Sequence, residues 1–154
     1  MYRFYIIICL SLLSCLASFA DERPTKRERD SWMQEMLDYK VDYIAKDLGL
    51  NEEEKAKFAG VYTSMEKEMR TVQKETQKLE KDVRKKGDKA TKLEMEKAAE
   101  AQFELRGKEN QIELKYFPKL KAVLSPAQLL KLKESERKFM RHVMNQHSKS
   151  KKKK

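Results

Sequence analysis

The chain has 154 residues, with 35 lysines and arginines against 25 aspartates and glutamates, for a formal net charge of +10. Charged residues make up 39% of it, and glycine and proline are scarce at 4 and 3, which suits long amphipathic helices in one domain. The scattered glycines form no nucleotide-binding loop. Cys9 and Cys15 lie at the extreme N-terminus and the two histidines, His142 and His147, near the other end. This leaves out Cys–His, Ser–His–Asp and HExxH zinc arrangements and argues against an enzyme with a cofactor.

Residues 1–20 read as an export signal. Arg3 starts it, Phe4 to Leu13 is an apolar core, and Ser18-Phe19-Ala20 sets small residues before a cut that precedes Asp21-Glu22-Arg23-Pro24. The apolar run is short for a membrane span. The alternative is a lipoprotein box at Leu12-Leu13-Ser14-Cys15, against which the apolar residues continuing past Cys15 count. Cleavage after Ala20 removes both cysteines, so the mature protein is expected to fold in an oxidising compartment without disulfides.

Four helices are predicted over residues 21–148. Met33, Met36, Leu37, Val41, Ile44 and Leu48 mark the first, closed by Gly49. Leu50 precedes Asn51, an N-cap with Glu54 completing a capping box. The second helix carries Phe58, Tyr62, Met65, Met69, Val72, Thr76, Leu79 and Val83 at helical spacing, and Gly87-Asp88 breaks it. The third holds Leu93, Phe103, Leu105, Ile112, Tyr116 and Phe117, with Pro118 expected to disturb it. Leu124-Ser125-Pro126-Ala127-Gln128-Leu129 opens the fourth: Ser125 caps, Pro126 takes the first position, and Gln128 returns a bond to the cap. Lys149 and Lys151 to Lys154 read as a disordered basic tail able to touch an anionic surface.

Folding back at Gly87-Asp88 places Val83 beside Leu93, Val72 beside Phe103, Met69 beside Leu105, Tyr62 beside Ile112 and Phe58 beside Tyr116. Apolar meets apolar at each step, as an antiparallel hairpin requires. The fold class is therefore all-α: an elongated four-helix fold with a long antiparallel hairpin, forming a homodimer or keeping an apolar face open for a partner. Carboxylates alternating with lysines read as solvent-facing ion pairs. Met140, Met144 and His147 share one helical face whose donors suit a soft metal ion, but with three donors at most and His142 pointing elsewhere, no metal site is expected in the single chain.

The paired helix starts carry a resemblance. Leu124-Ser125-Pro126-Ala127-Gln128 resembles the LTxxQ motif of the Spy/CpxP family of periplasmic proteins, and Leu50-Asn51-Glu52-Glu53-Glu54 resembles its first, degenerate copy. Tyr116 to Leu120 and Leu132 to Met140 are similar to the family's C-terminal half. The resemblance implies a bent, dimeric, four-helix protein of the periplasm. It further implies an ATP-independent chaperone that holds non-native envelope proteins, an inhibitor of a membrane stress sensor, or a factor in metal resistance. On the chaperone reading the clients are unfolded or partly folded envelope proteins, not nucleic acid. They would meet Met33, Met36, Phe58, Met65 and Met69, flexible side chains suited to varied apolar partners.

Overall fold

The computed structural model describes residues 25–151. The predicted leader with Cys9 and Cys15, and residues 152–154, lie outside that range. Four helices follow one another: α1 (Lys26–Leu48), α2 (Glu52–Lys86), α3 (Lys92–Val123) and α4 (Pro126–Lys151), with a short 3-10 turn, Gly87–Lys89, between α2 and α3. No strand occurs among the described residues. None of their helices is long and apolar enough to cross a membrane. α4 includes Lys149 and reaches Lys151, into the stretch expected to be a disordered tail.

A boundary between Glu35 and Met36 divides the chain into two compact units. In the first, Thr25 and Glu28 form a capping box at the start of α1, with bonds of 2.7 and 3.2 Å. Helix α1 continues into the second unit and ends on Gly49, whose φ of 69° places it in the left-handed region. Its N–H donates to the Lys46 carbonyl and that of Leu50 to the Ala45 carbonyl, the paired bonds of a Schellman stop.

The remaining starts are set by local chemistry. The Glu54 N–H donates to Asn51 Oδ1 at 2.9 Å, and the Asn51 N–H donates to Glu54 Oε2 at 2.9 Å. At α4 the Ser125 N–H donates to Gln128 Oε1 at 2.8 Å, and the Gln128 N–H donates to Ser125 Oγ at 3.3 Å. Leu124 is buried, and Leu50 and Leu129 pack against the core. Each box satisfies two helix-end donors that would otherwise lack partners. Ser125→Ala is expected to cost about 1 kcal/mol. Gln128→Ala should cost less, and the double change less than the two together, because both serve one box. Thermal melts of the three variants check this; strictly additive losses would rule out a shared box.

Helix α3 starts from a further box, Thr91 with Glu94, at 3.0 and 3.2 Å. The hairpin turn therefore spans Gly87 to Thr91, wider than the predicted break at Gly87-Asp88, and the register differs accordingly. Gln73 Nε2 donates to Glu109 at 2.6 Å, and Lys115 Nζ meets Glu68 at 2.7 Å. The arms thus pair roughly two helical turns away from the predicted alignment. Phe103, expected opposite Val72, is 86% exposed instead.

Pro118 does not break α3, which runs through it to Val123. Its missing N–H removes one backbone bond on the exposed side of the helix. Tyr116 and Leu120, buried on either side of it, hold both halves to the core. That core joins Leu37, Val41, Ile44 and Leu48 of α1, Phe58, Tyr62, Met65 and Met69 of α2, Ile112, Tyr116 and Leu120 of α3, and Leu132 of α4. Beyond Met69 and Ile112 the hairpin buries only Thr76, Ala98 and Ala101.

Candidate functional site

The five residues expected to meet clients do not form one surface. Phe58, Met65 and Met69 are 0%, 2% and 9% exposed. They fill the core between the helices, because the apolar stripe of α2 is the face that α1, α3 and α4 close over. Met33 and Met36 are half-buried on α1. Leu50, Asn51, Glu54, Leu124, Ser125 and Gln128 all sit at the helix starts just described. Of the soft-metal candidates, Met140 and Met144 are exposed on α4, while the side chain of His147 lies outside the described set. No group of three or more His, Cys, Asp or Glu suited to a metal occurs among the described residues.

Three adjoining hollows share Glu136. The first, about 150 Å³, is walled by Leu114, Phe117, Leu120, Leu129 and Leu132, with Lys133 and Glu136 at its edge. The second is polar and contains Lys40, Glu66, Gln73 and Glu109. The third is open and lies among Lys40, Arg137, Met140 and Arg141.

A hydrogen-bonded network underlies them. The Tyr62 hydroxyl donates to Glu136 at 2.8 Å, Lys133 pairs with Glu136 at 3.2 Å, and Lys40 pairs with Glu66 at 2.8 Å. Lys40 also lies 5.3 Å from the centre of the Tyr62 ring, within cation–π reach. Burial, with the charges of Glu136 and Glu66, pushes the Tyr62 hydroxyl far above the ordinary tyrosine range, so it stays a donor. Burial alone would lower Lys133, but the carboxylates of Glu113 and Glu136 outweigh it and hold the ammonium above its usual value.

The other side of the α1–α4 pair is aromatic. The rings of Tyr39 and Tyr43 lie 5.6 and 5.5 Å from that of Phe139, edge-on. The Tyr39 hydroxyl is 2.7 Å from His142 Nε2, and the Gln146 amide is 2.8 Å from the same atom. Asp42, Lys46 and Asp47 border this cleft. Asp47 accepts from Ser135 Oγ at 2.5 Å and faces Lys138 at 3.3 Å. Ser135 is 0% exposed.

The reading of charged residues as solvent-facing pairs overlooked Tyr62–Glu136 and Asp47–Ser135. One signal was present: Ser135 stands between Leu132 and Phe139 on the apolar stripe of α4. A polar side chain at a core position needs a buried partner.

Compared with known proteins, the chain matches no family model, no curated protein and no solved structure.

Proposed function

We infer that this protein is a nucleotide-independent chaperone that holds non-native polypeptides of the bacterial periplasm, in the manner of the Spy/CpxP proteins its helix starts resemble. One observation carries the reading. Along α4 beyond Glu136 there is no carboxylate, and Met140 and Met144, 54% and 66% exposed, stand among Arg137, Arg141 and Lys149. Unbranched thioether side chains adapt to apolar segments of many shapes. The surrounding cations speed encounter with acidic chains. The contact surface on this reading is the outer side of α4 together with Lys40, which shifts it away from the buried Phe58, Met65 and Met69.

The test is suppression of aggregation of a chemically denatured acidic protein, at stoichiometric ratios and without ATP. Protection is expected near one chain per client. The combined change Met140→Glu, Arg141→Glu and Met144→Glu should abolish it and leave the melting curve in place, since all three side chains are exposed. No protection by the unaltered protein at several-fold excess would overturn the proposal and favour a regulator that binds a membrane sensor or a soft metal ion.

A further inference from the structure

The hollow of about 150 Å³ between α3 and α4 has an apolar end and a charged end. On α3, Asn110, Glu113, Leu114 and Phe117 line it at intervals of three, one and three. On α4, Leu129, Leu132, Lys133 and Glu136 repeat the same intervals, so each helix turns one face to the space. The chain reverses at Leu124 and Ser125, which sets Phe117 and Leu129 nearest the turn. Glu113 and Lys133, paired with each other, lie farther from it. Buried Met65, Leu120 and Leu132 close the inner side.

Each end selects a different chemistry. A hollow of this size and apolar lining takes a benzene-sized ring. The charged end is acid-rich. Glu113 and Glu136 share one cation, Lys133. The polar hollow that continues from these two carboxylates adds Glu66 and Glu109 against Lys40 and Arg70. Carboxylates therefore outnumber cations by four to three along the two hollows. The side chains of Glu113 and Glu136 are only 35% and 18% exposed, so salt screens them less than charges on open surface. A cation entering here is attracted, and an anion is repelled.

We propose that the hollow binds a small arylalkyl amine, a benzene-sized ring on a short carbon arm that ends in an ammonium group. The ring lies among Leu114, Phe117 and Leu129, and the ammonium comes to Glu113 and Glu136 beside Lys133. Phe117 and Glu113 stand about one helical turn apart, roughly 5.4 Å, a span that an arm of one or two carbons covers. A phenylalanine side chain on a polypeptide brings the same ring without the charge. The site is thus separate from the client surface proposed above, and the methionines and arginines of outer α4 take no part in it.

Titration of the purified protein with 2-phenylethylamine, followed by the leucine methyl signals in NMR, tests the proposal. The Leu114, Leu129 and Leu132 methyls are expected to move saturably, with a dissociation constant of about 1 mM or below for a ligand this small. Uncharged 2-phenylethanol should bind several-fold more weakly, and phenylacetate should not bind measurably. Glu113→Gln should bring 2-phenylethylamine down to the level of 2-phenylethanol and leave the alcohol unchanged. Leu114→Asn should weaken both by about fivefold or more without moving the thermal melt, since that side chain is exposed. No saturable movement of these methyls with 2-phenylethylamine would overturn the proposal. So would equal binding of 2-phenylethanol, a preference for phenylacetate, or an unaltered affinity in Glu113→Gln. N-acetyl-phenylalanine amide binding as tightly as the amine would overturn it in favour of a polypeptide side chain.

Discussion

Replacing Phe58 by alanine is expected to remove about 4 kcal/mol of stability, the range seen when a fully buried aromatic side chain leaves a cavity. Phe58 is 0% exposed, and its ring centre lies 4.9 Å from that of Tyr62. It belongs to a core cluster that also holds Leu37, Ile44, Leu124 and Leu132 from three different segments of the chain, so collapse of one segment alone is not expected to fill the space. Urea denaturation followed by circular dichroism measures the change, with the slope expected to hold. A loss below about 1 kcal/mol would show that the ring is not enclosed as described. Any loss of aggregation suppression in this variant should follow the unfolded fraction, in contrast to the outer α4 substitutions, which act on folded protein.

Asp47→Ala is expected to cost about 2 kcal/mol, a partly exposed ion pair and a buried hydroxyl losing their common acceptor. Ser135 would keep only its 3.2 Å bond to the Lys131 carbonyl, and Lys138 would lose one of its two carboxylates. The hydrogen bond from Ser135, followed by the nearby Lys138 and Lys131 and in spite of burial, holds the Asp47 carboxyl below its ordinary value of 3.8. A carboxyl lowered on folding stabilises the folded state above its unfolded pKa, and that contribution fades as pH falls through the folded one. Stability should therefore be level near neutrality and decline below about pH 4. The Asp47→Asn variant should decline less steeply. At the hairpin turn Lys86, and next the Thr91 backbone, lower Glu94 to about 2, so it adds to the same acid limb. Thermal melts between neutral pH and strongly acidic buffer would decide it; parallel curves for the two proteins would exclude Asp47 as a source.

The helix boundaries were legible because each depends on a few neighbouring residues. Asn51 with Glu54 and Ser125 with Gln128 could be read without knowing what the helices pack against. Thr91 with Glu94 is the same pattern, and reading it would have widened the turn. The pairing of α2 with α3 is of a different kind. Stripes spaced by three and four residues repeat after seven, so sliding one arm by two turns again brings apolar residues together. Only the turn length and charged contacts such as Gln73–Glu109 distinguish the two alignments. The burial of the α2 residues was hidden in a similar way: an apolar stripe shows which residues share a face, not whether that face is covered. Met65 and Met69 lie where three helices converge, whereas Met140 and Met144 occupy the side of α4 turned from the core. Tyr62–Glu136 and Asp47–Ser135 join positions 74 and 88 apart in sequence, a proximity that no local spacing encodes.

The uneven filling of the hairpin has a consequence for how it breathes. Near α1 and α4 its arms are tied by aromatic and long aliphatic side chains, but toward the turn only Thr76, Ala98 and Ala101 are buried. Small side chains remove little apolar area from water, so each distal turn adds little to the cost of opening. The arms can part from the turn inward while the base stays closed. Backbone amides near residues 76–100 will then trade protons with water through local opening, and those around Tyr62 and Tyr116 only when the whole domain unfolds. One continuous pair of helices thus behaves as a soft fork on a rigid handle.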